Sequence, residues 1–311
     1  MITPYLCIYA SQAAACINEN KYKKIADAVE TFWHRADAES YNNAMARNNI
    51  LTDDEIVEKV GKTHPKIAKL LQVASKEEES STDVAQKYSK LSKEFEKYAG
   101  DNYISRDIAS VVDDAIRKTA YTTYGNVAEH SVFNYIRDVL KIDIVDDPSF
   151  YKDVLGTVHT KYGSFEYSIG GKIDGITKDR KVLVEIKNRV NRLFGKLPSY
   201  EMIQVQTYLH LLDLDKAFLV ECLRSKEGNV VADDVNCITV NRDRAYFEVE
   251  ILPRLEGFVN FVIHLIHDEK LQDKFLMSKR RNTMASLAIT KFVKDKHENK
   301  GKLCNNKMSA L

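Results

Sequence analysis

Asp174, Glu185 and Lys187 are the residues whose types and spacing invite chemistry. Their neighbourhood reads Gly170-Gly171-Lys172-Ile173-Asp174-Gly175, then the polar Lys178-Asp179-Arg180, then Val182-Leu183-Val184-Glu185-Ile186-Lys187. Two apolar runs around a polar turn predict a β-hairpin. Alternation along its second strand puts Val182 and Val184 on one face, and Leu183, Glu185 and Lys187 on the other. Glu185 and Lys187 then lie beside Asp174 at the end of the partner strand. Two carboxylates and an ammonium at a half-buried strand end are costly unless something binds them. Asp and Glu oxygens are hard ligands, so a divalent cation such as Mg²⁺ or Mn²⁺ fits the pair. Lys187 faces the water that such an ion polarises, with its own charged form disfavoured there.

Helices flank this hairpin in the sequence. Gly125 opens one that runs to about Leu140, with Val132, Phe133, Ile136, Val139 and Leu140 on its apolar face. Stepping back three and four residues from Val132 and Phe133 lands on Glu129, which therefore points along the core-facing stripe. The alternative is a first-turn acid that the helix dipole favours. Strands follow at about 154–162 and 165–173. After the hairpin comes a basic loop over 188–198, with Arg189, Arg192 and Lys196, and then a helix over 200–212 that carries Gln204 and Tyr208 at i and i+4. Two more strands, 217–223 and 236–240, precede a long closing helix from Asn241-Arg242-Asp243-Arg244 to His264. At the other end, residues 10–17 read as a short helix capped by Ser11, and residues 24–35 as a second. Residues 36–118 are charged and helical, with an acidic break over 76–83, and form an arm with no chemistry of its own. The tail beyond Lys279 is basic, and is read as flexible or peripheral.

Asp-(x)10-Glu-x-Lys on a hairpin resembles the PD-(D/E)XK nuclease superfamily. Gly-x-x-x-Glu on the preceding helix and Gln-x-x-x-Tyr on the following one resemble its lambda-exonuclease/YqaJ-type, RecB-like members. The resemblance covers about Gly125 to His264 and extends more loosely to the Ser11 helix. The family's basic residue just upstream of that serine has no counterpart, since the first lysine is Lys21. The resemblance implies an α/β (α+β) core over 119–278, a central mixed sheet flanked by helices. Onto it pack the N-terminal helices (1–35), with 36–118 as a helical insertion and 279–311 as a tail. It implies a metal-dependent DNA exonuclease that works from duplex ends in recombination or repair. Asp174, Glu185, the carbonyl of Ile186 and Glu129 would hold one or two Mg²⁺ or Mn²⁺ ions. Lys187 and Gln204 would serve catalysis, and Ser11, Arg189, Arg192 and Tyr208 would contact nucleic acid. The resemblance leaves room for a homo-oligomer and for a single-strand annealing partner protein. Two alternatives stay open: an endonuclease or single-strand/RNA nuclease of the same fold, and a catalytically idle nucleic-acid-binding scaffold.

Composition narrows the classes further. Charged residues make up 29% of 311 and the net charge is +1, which fits a soluble globular protein. No apolar run approaches the ~20 residues of a membrane helix, and the N-terminus lacks the charged region of a signal peptide. Five scattered cysteines without a C-x-x-C pair argue for a reducing, intracellular compartment and against zinc or iron–sulfur. Basic residues are nevertheless concentrated, six Lys/Arg against two acids over 179–196 and nine against two over 279–311. These local patches leave room for a nucleic-acid partner, on which bulk charge is silent.

Overall fold

The site strands belong to two mixed sheets. A computed structural model describes residues 5–76, 84–189, 192–223 and 235–308, with backbone alone at 85, 123–132, 297 and 299–308. The first sheet has three strands, β1 (Cys7–Tyr9), β3 (Tyr151–Thr160) and β4 (Gly163–Gly171), in the order β1-β4-β3. The second has five, β2 (Ile144–Val145), β5 (Gly175–Thr177), β6 (Val182–Arg189), β7 (Lys216–Leu223) and β8 (Val235–Asn241), in the order β2-β5-β6-β7-β8. β1 runs parallel to β4, and β6 parallel to β7; the other pairs are antiparallel. A parallel pair needs a crossover, here the helix α8 (Ser199–Leu211) between β6 and β7. The expected mixed arrangement flanked by helices is present, divided over two sheets: β4 ends at Gly171, and Lys172 to Asp174 step across to β5.

Helices α1 (Ala13–Cys16), α2 (Ile25–Ala36) and α3 (Ala38–Arg47) join the main core, where the rings of Phe32 and Phe258 meet edge-on at 5.2 Å. Because Tyr41, Ala44 and Met45 of α3 are buried in that core, the arm starts after it and not at residue 36. The arm consists of α4 (Asp53–Thr63), α5 (Pro65–Ala74), α6 (Val84–Asp101) and the first part of α7 (Arg106–Asp138). A capping box between Thr52 and Glu55 starts α4, and Pro65 sits in the first turn of α5, where its missing N–H costs nothing. The arm has its own apolar cluster around Ile67, Leu70, Phe95, Val112 and Ile116. The acidic break lies, from residue 77 on, outside the described residues.

Three expectations are corrected. Gly125 does not open a helix: α7 runs unbroken through it for 33 residues, because one glycine costs only about 1 kcal/mol in a helix interior. The closing helix is α9 (Arg244–Tyr246), one π turn (Phe247–Ile251) and α10 (Leu252–His267); Pro253 has no N–H to give the turn before it, and a widened turn accommodates the gap. Asp243 caps it by accepting from the Tyr246 N–H at 2.8 Å. The start of the tail is also packed. After α11 (Glu269–Met277), α12 (Arg281–Met308) buries Ala285 and Ile289 against the main core. Gly257 of α10 lets it approach, since a Cβ there would meet Phe292 and Ile289 at 3.2 and 3.3 Å. Among the described residues no helix is long and apolar enough to cross a membrane.

Candidate active site

β5 and β6 form the expected hairpin, with Gly175 opposite Val184 and Ile176 opposite Leu183. In the turn, the Thr177 hydroxyl donates to Asp179 at 2.7 Å and accepts from the Val182 N–H at 3.0 Å. Strand alternation holds as read. Leu183 packs with Val205 and Leu209 of α8, while Val184 and Ile186 pack with Ile136 of α7. Glu185 and Lys187 therefore face α8.

Asp174 lies in the bend before β5, at the point where the β5–β6 ladder stops. The Ile186 N–H, left without a strand partner on that side, donates to Asp174 Oδ2 at 2.7 Å. The carboxylate thus substitutes for a strand and is fixed beside Glu185. Glu185 Oε1 accepts from Lys187 Nζ at 2.7 Å and from Gln204 Nε2 at 2.7 Å; Lys187 also donates to Gln204 Oε1 at 3.1 Å. Gln204 therefore spans both members of the E-x-K pair. Glu185 is 2% exposed, and its other oxygen, Oε2, is buried without a hydrogen-bond partner among the described residues. A bare buried carboxylate oxygen costs at least 1–3 kcal/mol, and a hard oxygen donor of this kind fits a divalent cation. Among the described residues no three His, Cys, Asp or Glu side chains converge on one point; Asp174 and Glu185 are a pair.

Lys187 is balanced between burial and its two acids. Burial disfavours its charge, but Glu185 and then Asp174 outweigh burial, and its pKa moves upward. The neighbouring carboxylates favour its ammonium form, whereas a cation bound by them would oppose it.

Tyr208 is 4% exposed and donates to the Lys172 carbonyl at 2.6 Å. It stays protonated, its pKa raised by burial and then by Glu185 and Asp174. It is a buried strut for the Lys172–Asp174 crossing rather than a nucleic-acid contact. Its ring lies over Gly171, where a Cβ would come within 2.9 Å. Arg189 is likewise withdrawn from any phosphate. At 9% exposure it donates to both oxygens of Glu201 at 2.6 and 2.7 Å and to Glu221 Oε1 at 2.8 Å, with Phe194 stacked at 4.0 Å. Glu221 further accepts from the N–H groups of Phe194 and Gly195 and from Asn236. Arg192 and Lys196 are exposed.

Ser11 is exposed on a single 3₁₀ turn (Ala10–Gln12) and caps nothing. Its neighbour Ala10 is buried with Ile173 and Tyr208, while Ser11 itself is exposed. Sequence reading missed Arg35 here. Its guanidinium donates to Gln12 Oε1 at 3.2 Å and to the Cys7 carbonyl at 2.6 Å, and lies 3.9 Å over Tyr9. Its position at the end of α2 gives a sequence reader no hint of this. The side chain of Glu129 lies outside the described residues.

The chain is similar to solved exonucleases. The alkaline exonuclease LHK-Exo of Laribacter hongkongensis is 18% identical, with 49% of this chain and 73% of that one covered at a TM-score of 0.34. A phage-related exonuclease from Haemophilus somnus 129PT is 12% identical, with 88% and 96% covered at 0.38. The protein SSO0001 is 17% identical, with 70% and 96% covered at 0.34. No protein-family model matches the chain, and no curated protein matches it significantly. At these TM-scores the site's own geometry has to carry the function.

Proposed function

We propose that the chain is a metal-dependent nuclease that hydrolyses DNA phosphodiester bonds from duplex ends. The observation that carries this is the bare, buried Oε2 of Glu185 beside Asp174, with Lys187 and Gln204 gathered on the other oxygen. Asp174, Glu185 and the Ile186 carbonyl would hold the cation, Mg²⁺ or Mn²⁺, with Glu129 the candidate for an accessory ligand. Bound there, such an ion supplies charge neutralisation at the scissile phosphate and an acidified water.

The chain's own residues do the rest. Lys187, which contacts Glu185 Oε1 at 2.7 Å, orients or deprotonates the attacking water. Gln204 fixes the direction of Lys187 and of Glu185 Oε1, leaving Oε2 for the ion. Arg192, Lys196 and Ser11 are exposed to hold the sugar-phosphate backbone, which positions DNA without reading its sequence.

Linear, nicked and covalently closed circular duplexes incubated with Mg²⁺ test the reading. Linear DNA is expected to be degraded and closed circles to survive. Rapid linearisation of the circle replaces it with an endonuclease. Binding without cleavage in Mg²⁺ and in Mn²⁺ replaces it with a nucleic-acid-binding scaffold.

A further inference from the structure

The strand–helix face that carries the site continues past it in both directions. By alternation Glu185, Lys187 and Arg189 share one face of β6; on α8, Glu201, Gln204 and Tyr208 fall at i, i+3 and i+7. The partners meet in order. Arg189 takes Glu201, Lys187 and Glu185 take Gln204, and the Lys172 carbonyl takes Tyr208. The first rung is the most heavily built. Arg189, Glu201 and Glu221 are 9%, 3% and 0% exposed, and Glu221 stands on β7 in register with Lys187. Burying one cation with two carboxylates is a poor way to gain stability, since apolar replacements of such groups are often neutral or stabilising. What a two-pronged guanidinium–carboxylate pair supplies is a single geometry.

We infer that the Arg189–Glu201–Glu221 cluster is a positioning device for Gln204. It sets the first turn of α8 against the end of β6, so that the amide one turn further on reaches Glu185 and Lys187 together. Moving α8 by one residue would rotate Gln204 by about 100° and break both 2.7–3.1 Å contacts. Its effect on catalysis rests on the nuclease reading; its effect on Gln204 does not.

The test compares Glu201→Gln, Gln204→Ala and the double variant. Glu201→Gln keeps the side chain's shape and leaves Arg189 paired with Glu221. On linear duplex DNA with Mg²⁺, Glu201→Gln is expected to lower kcat about tenfold with KM unchanged. In the Gln204→Ala background it should cost nothing further, because residues that act through one another are not additive. Costs that multiply overturn the inference. Independently of activity, the side-chain amide of Gln204, identified in ¹H–¹⁵N spectra by its loss in Gln204→Ala, should move in Glu201→Gln. It should stay in place in Asp213→Asn, at the far end of α8. An unmoved amide in the Glu201 variant also overturns the inference. If the wild-type protein cuts no DNA, the nuclease reading falls while the amide still decides. Should Glu201→Gln not fold, Arg189→Lys, which keeps the charge and loses the fork, takes its place in both measurements.

Discussion

Glu185 binds through one oxygen and leaves the other bare, and that asymmetry makes its substitution informative. Asp174→Ala and Glu185→Ala should each lower cleavage at least about a hundredfold, the scale of losing a group that stabilises developing charge. DNA affinity should hold within a few-fold in both, as it rests on exposed cations; filter binding in Ca²⁺ checks this. Mg²⁺ should raise the melting temperature of the wild type, by about 2.7 kcal/mol of stability at a hundred times Kd, and leave that of Glu185→Ala unchanged. Equal Mg²⁺ shifts in both would place the ion elsewhere. At this scale the sequence was legible where the geometry is local. A two-residue strand period aims Glu185 and Lys187 together, and an i, i+4 spacing stacks Gln204 on Tyr208. Arg189 was misread because its partners, Glu201 and Glu221, are 12 and 32 residues away; no local pattern distinguishes a buried arginine after a strand from an exposed one.

Among the elements, the hairpin is held from outside by Asp147. This carboxylate accepts from Tyr151 at 2.6 Å, from the Ser149 N–H at 3.1 Å and from Arg180 at 2.9 Å, tying the start of β3 to the β5–β6 turn. These bonds, Tyr151 first, hold its pKa well below the usual carboxylate range. A group depressed on folding contributes stability that is present above its unfolded pKa, about 3.9, and lost as pH falls through the folded value. The wild type should therefore lose stability between about pH 4 and pH 2 more steeply than Asp147→Asn, measured by thermal unfolding at matched ionic strength. Parallel curves would show that Asp147 is not coupled to folding. Gly171→Ala should displace Tyr208 from the Lys172 carbonyl and destabilise by about 1–3 kcal/mol, lowering activity through Asp174. Element positions were legible where apolar periodicity was clean, as in α2, which buries Ile25, Val29, Phe32 and Trp33. The three residues of β1 and the two of β2 were not, because so short a strand exists only through its neighbours. The order hidden in α12 depends on Gly257 of another helix admitting it.

At the scale of the molecule, the arm has an apolar cluster of its own, apart from the largest one, which lies under the three-stranded sheet. Phe95→Ala and Phe258→Ala should each cost about 3–5 kcal/mol where they occur. Calorimetry should place the first loss in the arm, with hydrogen exchange in β6 unchanged, and the second in the core that backs the three-stranded sheet. If both variants loosen β6 equally, the arm and core unfold as one. The arm is joined to the second sheet by α7, which contributes Val112, Ile116 and Ala120 to the arm's cluster and Ile136 to a separate cluster with Val184 and Ile186 behind β6. At about 1.5 Å per residue, this helix of 33 residues is a rod some 50 Å long. Each residue inserted between the clusters turns the arm about 100° around that rod, whereas seven return it nearly to its starting azimuth about 10 Å further out. A substrate gripped by the arm while it is cut would thus feel the insertion length as a phase: activity would fall with one or two added alanines and recover at seven. A substrate held by the site alone would be indifferent to the count.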